Sequence, residues 1–408
     1  MSNKRCINLD WLEVYALEPI NLPHDIEYFM RQGFKVEDRG YGTRIYEEMF
    51  FLYDSDEEYR IIEIRRNPKQ KDTNAILPIN ACHIRLTNRS CYQERAANMM
   101  KEFLSRYNYE FVRISRVDIA LDFERFDSGD DPLKFIRRYM NGKYSKINQA
   151  NVHAHGDDTW NKREWFSLSW GSPKSQIGTK LYLKTKELEE VGDKPYIRLA
   201  WLRAGLVDDP WKLIKVKADG TTYKPNIWRL EFSIRSDVKG WYQIEKNGDS
   251  KKIRSYRNTL EMYDGGTALL VIFMSLQEHY FHFRNYAPNK TKYDCERKEL
   301  FRWSTDEEIL KPEHPSSDSK PLTSEIRLLK YIKAYQATVI KPEEFRACSV
   351  IIAALERHEQ SRILEHPYDS KELIALQQAV AMKLKGAPED FTLLLKICSD
   401  MVKQQKFY

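Results

Sequence analysis

The run Arg116-Val-Asp-Ile-Ala-Leu-Asp-Phe123 constrains the fold more than any other stretch of the chain. Val117, Ile119, Leu121 and Phe123 alternate with Arg116, Asp118, Ala120 and Asp122. Two is the side-chain period of a strand, so the apolar set faces a core and the polar set faces away from it. Aspartate is disfavoured in strands, so two on one strand face need a reason. They lie four residues apart, roughly 13 Å at Cα, and share one ion only if the strand bends or a long ligand path closes the gap. A hard cation such as Mg²⁺ or Mn²⁺, which takes carboxylate oxygens, is one reason. A salt bridge to Arg113 or Arg116 is the other.

The same alternation recurs in Tyr59–Arg65, His83–Leu86, Val112–Phe123, Thr179–Lys184 and Ile227–Ile234. Helical patterns intervene at Pro23–Gln32, Gln93–Tyr107 and Pro132–Tyr139. Strands and helices without regular βαβ spacing predict an α+β domain on an antiparallel sheet. Composition changes near residue 303: all nine Trp lie at or before Trp303, and fifteen of sixteen Gly at or before Gly266. The polar, Pro-containing stretch Lys311–Lys320 reads as a linker. Beyond it, Leu328, Leu329, Ile332 and Tyr335 recur at helical spacing. The expected organisation is a large domain over 1–303, a linker over 304–320 and a small helical domain over 321–408, within the two or three domains that 408 residues suit.

Several classes are excluded. No apolar run approaches the roughly 20 residues of a membrane helix, and Ala268–Leu276 reaches about half that. The opening MSNKRCINLDW lacks the apolar stretch of a secretion signal. Six scattered cysteines without a CxxC pair fit reduced thiols, so a cytoplasmic protein is expected. Lys+Arg 66 against Asp+Glu 60 gives +6, which permits a polyanionic partner without requiring one.

The charge is unevenly placed. Arg137, Arg138, Lys143, Lys146, Lys162, Arg163, Lys174, Lys180, Lys184 and Lys186 face only Asp157, Asp158 and Glu164 within 137–186, ten minus three or +7. Tyr139, Tyr144, Trp160, Trp165, Phe166, Trp170 and Tyr182 are interleaved. Basic groups track phosphates and aromatics stack bases, so the stretch suits single-stranded nucleic acid; a solvated stretch with core aromatics has the same composition. Within it, Lys180 and Lys184 flank Tyr182 on one strand face, and nearby positive charge favours a phenolate. Glu187 follows where Thr185–Glu190 starts a helix. The run Ile227–Ile234 places Arg229, Glu231 and Ser233 on one face. Ser169–Gly178 is a Gly/Ser/Pro loop without the GxxxxGK[ST] pattern. His153-Ala-His155 is a secondary metal candidate if it is a strand, although Asn148–Asn151 before and Gly156-Asp-Asp after it suggest a loop. His279 and His282 make no HExxH motif.

Asn8-Leu-Asp-Trp-Leu12, Ser115–Phe123, Trp170–Lys184 with Glu187, and Trp228-Arg-Leu-Glu231 occur in this order. Together they resemble the replication initiation factor family of rolling-circle plasmids, filamentous phages and integrative mobile elements, in a variant similar to those of Bacteroides-type elements. The resemblance covers about 8–240 and extends weakly to 300, leaving the C-terminal segment outside it. It implies a fold related to the HUH endonucleases and a rolling-circle initiator that nicks and rejoins one strand of origin DNA, with a conjugative relaxase of the same chemistry as the alternative. A DNA-binding regulator that has lost catalysis is the other alternative. Carried over, Tyr182 matches the family's nucleophile in its Tyr-x-Lys motif, and Lys184 or Lys180 would assist by stabilising phenolate or phosphate. Asp118, Asp122, Glu231 and Glu187 match the acids that hold a divalent metal, Mg²⁺ or Mn²⁺. Arg116, Lys174, Lys180, Arg229, Arg137, Arg138, Lys143, Lys146 and Trp170 are the expected DNA contacts. Leu183 departs from the family's usual polar residue in Tyr-x-Lys. Partners implied are single-stranded origin DNA, a helicase and a second copy of the chain, with no membrane.

Overall fold

The computed structural model describes residues 4–56, 58–69, 77–148, 152–159, 162–172, 175–247, 250–291, 293–303, 309–312 and 349. Ten strands form one antiparallel sheet: β1 (Arg5–Leu17), β2 (Val36–Asp38), β3 (Tyr46–Tyr53), β4 (Arg60–Pro68), β5 (Ala81–Leu86), β6 (Glu110–Phe123), β7 (Val152–Thr159), β8 (Lys162–Trp170), β9 (Ile177–Leu183) and β10 (Trp228–Arg235). They run in the order β2-β3-β4-β5-β1-β6-β10-β9-β8-β7. Mixed helix and strand on a large antiparallel sheet is the α+β class expected from the alternation.

The register divides the sheet into two faces. Leu9, Ile119, Phe232, Thr179 and Trp170 pair in one row across five strands, and Ile7, Leu121, Leu230, Leu181 and Leu168 in another. All but Ile7 are buried. Directly opposed residues share a face, so these rows make a continuous apolar surface. Helices cover it: Phe273 of the Gly266–Tyr280 helix meets Phe232 at 5.2 Å, and Tyr139 of the Pro132–Met140 helix meets Trp170 at 5.8 Å. Phe29 joins Phe50 of β3 to Phe103 of the Ala96–Arg106 helix. Each such side chain contributes about 1.5–3 kcal/mol by leaving water. The apolar run around Ala268–Leu276, too short to span a membrane, lies in that covering helix. Among the described residues no helix is long and apolar enough to cross a membrane.

Three parts differ from expectation. β1, thirteen residues at the centre of the sheet, is not evident as an alternating run. Leu9 pairs with Ile119 and Trp11 with Asp118, so Asp10 is an extra residue in a bulge and Leu9 and Leu12 share the core face at spacing three. β6 slips likewise at Ser115. His153-Ala-His155, expected in a loop, lies in β7, where β8 supplies the pairing. The turn from β8 to β9 begins at Gly171, whose φ of +93° is a left-handed value that favours glycine. The chain separates into two compact units, Met1–His314 and Pro315–Tyr408. The helical domain expected over 321–408 lies outside the described residues apart from Ser349.

Candidate active site

The second face of the sheet carries the polar residues in register. Cys6, Asp122, Arg229, Tyr182, Ser167 and His155 form one row; Asn8, Ala120, Glu231, Lys180, Ser169 and His153 form the next. Trp11, Asp118, Ser233 and Gly178 form the third. Six of the predicted residues therefore share this face by backbone pairing: Asp118, Asp122, Arg229, Glu231, Lys180 and Tyr182. His153 and His155 share it too, exposed and two strands, about 10 Å at Cα, from Lys180 and Tyr182. Lys184 and Glu187 follow because β9 ends at Leu183 and the Lys184–Val191 helix begins at once.

Tyr182 is 8% exposed, and its Oη donates to Glu231 Oε2 at 3.0 Å. Lys184 Nζ donates to the same Oη at 3.4 Å and pairs with Glu187 at 2.5 Å. Glu187 also pairs with Lys194 at 3.0 Å. Lys180 Nζ lies 4.6 Å from the centre of the Tyr182 ring. Below this group, Arg229 is fully buried and donates to both oxygens of Asp122 at 2.6 and 2.7 Å, to Asp10 at 2.8 Å and to Tyr92 Oη at 2.6 Å. Trp201 Nε1 donates to Asp122 Oδ2 at 2.7 Å, and Tyr92 Oη to Asp10 Oδ1 at 2.9 Å. Arg116 holds Asp118 through two bonds of 2.9 and 2.6 Å.

These contacts set the proton affinities. Burial, and then the charges of Asp10 and Asp118, push the Glu231 carboxyl up to about 7. Burial raises Asp118 against the pull of Arg116. Against the cost of burial, Arg229 and Lys184 hold Asp10 below its ordinary value, and Lys184 and Lys194 do the same for Glu187. Burial and then Arg229 lower Lys184. Burial, and then Glu231, push the Tyr182 phenol well above its ordinary value. The last result corrects the expectation that Lys180 and Lys184 make Tyr182 ionise readily. The acids Glu231, Asp10 and Glu187 also surround the phenol, and little water reaches it.

The expected contacts with DNA scatter. Trp170 is 1% exposed, donates to Tyr139 Oη at 3.1 Å and packs on Phe281 and Phe283 in the core. It cannot stack a base there. Lys146 is buried, donates to the Asn148 carbonyl at 2.6 Å and is lowered to about 7 by burial. Arg229 is a buried clamp and not a phosphate contact. Arg137 and Arg138 ride the Pro132–Met140 helix on the apolar side of the sheet, followed by exposed Lys143, so they lie behind Tyr182. The stretch of +7 is not one surface, because its strands and helix occupy opposite faces. Lys180 stays exposed and Arg116 half-buried on the Tyr182 face. Lys174 lies outside the described residues.

The metal ligands expected from sequence divide. Asp122 is taken up by Arg229 and Trp201, and Glu187 by Lys184 and Lys194, so neither is disposed as a ligand. Among the described residues no three His, Cys, Asp or Glu side chains converge closely enough to hold an ion. Asp10 and Asp118 lie close enough to Glu231 to raise its proton affinity, but Arg116 holds both oxygens of Asp118 and Arg229 and Tyr92 hold Asp10, so these carboxylates form no ready cation site as they stand. Asp10, Tyr92 and Trp201 were not singled out by sequence. Asp10 stands inside Asn8-Leu-Asp-Trp-Leu12, where its place in a bulge hides it; Tyr92 and Trp201 carry no local signal.

No family model matches the chain, and no curated protein matches it. The chain is similar to a solved structure of a rolling circle replication initiator protein from Geobacillus stearothermophilus, at 12% identity and a TM-score of 0.42, over 72% of this chain and 93% of that chain. At that distance the likeness says nothing about chemistry.

Proposed function

We propose that the protein nicks and rejoins one strand of origin DNA through a 5′-phosphotyrosine at Tyr182, as a rolling-circle replication initiator. The observation that carries this is the bond from Tyr182 Oη to Glu231 Oε2 at 3.0 Å with Lys184 Nζ 3.4 Å from the same oxygen. A nucleophile joined to a base, with a cation beside the developing negative charge, is the arrangement that nucleophilic catalysis needs. The motif resemblance supplies the reaction class. Tyr182 Oη attacks the phosphorus as its proton passes to Glu231, and the P–O3′ bond breaks to release a 3′ oxyanion, which takes a proton from solvent water to become the free 3′ hydroxyl. Lys184 offsets charge on the phenol oxygen before the P–O bond forms. The phosphotyrosyl bond keeps the energy of the phosphodiester, so a 3′ hydroxyl can reverse the step without ATP. Mg²⁺ or Mn²⁺, held by Asp118 once Arg116 turns to the phosphate, would neutralise charge on the non-bridging phosphate oxygens and leave Glu231 free to take the proton.

A relaxase of a mobile element uses the same residues and differs only in the fate of the 3′ end. A regulator that binds DNA without cutting it is favoured by one observation, the 8% exposure of Tyr182. Incubation with single-stranded origin DNA and Mn²⁺ or Mg²⁺, followed by denaturing electrophoresis, separates them. The expected result is a covalent protein–DNA band; DNA binding without a band under either metal makes the protein a regulator. Asp118→Asn is expected to abolish the band, leave DNA affinity within about twofold, and weaken Mn²⁺ binding by roughly tenfold in calorimetry of the free protein. Unchanged Mn²⁺ affinity would remove Asp118 from the metal site.

A further inference from the structure

The polar face of the sheet continues beyond Asp118, and there it turns basic. Glu63, Arg85, Glu13, Arg116 and Arg235 pair in one row from β4 to β10. Arg65, His83, Tyr15 and Arg113 pair in the next. Five arginines thus meet three carboxylates (Glu13, Glu63 and Asp118), a surplus of two. Arg65 and Arg85 are engaged by Glu63, and Arg116 by Asp118. Arg113 and Arg235 have no carboxylate partner among the described residues.

Two features suit this band to an anion. Arg116 and Arg235 stand directly opposite each other on adjacent strands, an arrangement of like charges that is destabilising by itself. The guanidinium planes are also held in advance. Trp11 has Arg85 at 3.4 Å and Arg116 at 4.4 Å from its ring centre, and Arg113 lies 4.9 Å from that of Tyr15. Arginines fixed by stacking lose less entropy on meeting an anion than free ones.

We infer that this arginine band, with Arg113 and Arg235 as its uncommitted members, carries the backbone of a single-stranded nucleic acid towards Tyr182. The inference rests on the phosphodiester reading above and adds the path of the strand. The band shares the Tyr182 face, adjoins the Asp118 row and is basic where the 137–186 stretch is dispersed. A flexible single strand can follow a pleated face, whereas a rigid duplex touches it at few phosphates.

The test is fluorescence anisotropy of a labelled oligothymidylate against Arg113→Ala/Arg235→Ala over a salt series, without added metal. Affinity is expected to fall roughly tenfold at low salt, and the slope of log K against log salt to lose about 1.4, or 0.7 for each contact with a single strand. Arg138→Ala, on the opposite side, should leave both unchanged, and thermal melting verifies that each variant is folded. An unchanged affinity and slope in the double variant overturns the inference. So does equal loss in Arg138→Ala, or a preference for duplex over the oligothymidylate. The two readings fail separately. A weakened double variant with no covalent band in the wild type leaves the band and removes the nuclease. A covalent band with the double variant binding as wild type does the reverse.

Discussion

Arg229→Met is expected to lower folding stability by about 3–5 kcal/mol, read as a fall in the urea midpoint with little change in slope. The guanidinium is fully buried and engages Asp122, Asp10 and Tyr92 at once. Methionine approximates the volume of the stem but leaves two carboxylates without their cation. The cost is the desolvation of those charges, which the surviving bond from Trp201 to Asp122 only partly offsets. The sign with pH follows from Asp10, whose folded value is held below its ordinary one. Its contribution is present above the unfolded value and is lost as pH falls through the folded value. The deficit of the variant should therefore be largest near neutrality and shrink in acid, where the stranded carboxylates take up protons. A loss below about 1 kcal/mol that ignores pH would mean that the clamp is solvated and does not organise the site.

The same clamp shows what the sequence could convey. Asp122 and Arg229 were legible as polar members of alternating strands, and alternation correctly assigned them to one face. Alternation cannot say which strands are neighbours. That β6 pairs with β10 places Arg229 opposite Asp122 and makes Asp122 a clamped residue instead of a ligand. Asp10 was hidden because the bulge at that residue breaks the period of two, although its motif was visible. Composition misled at 137–186, where charge was summed along the chain. Trp170 and Lys146 turn into the core, and Arg137 and Arg138 lie behind the sheet, while the basic band on the Tyr182 side is assembled from five strands. Periodicity reads the direction of a side chain from its neighbours in sequence; a surface formed by cross-strand pairing leaves no such local trace.

Tyr182→Phe is expected to eliminate the covalent band while DNA affinity stays within about twofold, because the substitution removes one oxygen and no cation. A band that persists in Tyr182→Phe would place the nucleophile elsewhere. Glu231 decides how the phenol loses its proton. Its carboxyl titrates at about 7, so only the ionised form, present above that value, can accept from Oη. Initial rates of adduct formation in the wild type should therefore rise with pH through about 7 and then level. Glu231→Gln should slow the reaction by roughly 10²–10⁴ and remove that inflection. Stability should move oppositely. Because the folded carboxyl is raised, its contribution is present below the unfolded value and is lost as pH rises through about 7. Glu231→Gln should thus gain stability relative to wild type on the alkaline side as it loses activity. A glutamine variant with lower stability throughout and the same pH–rate profile would make Glu231 a structural acceptor for Tyr182. Gain of stability with loss of the inflection instead identifies a carboxylate kept at a cost to the fold because the reaction requires a base.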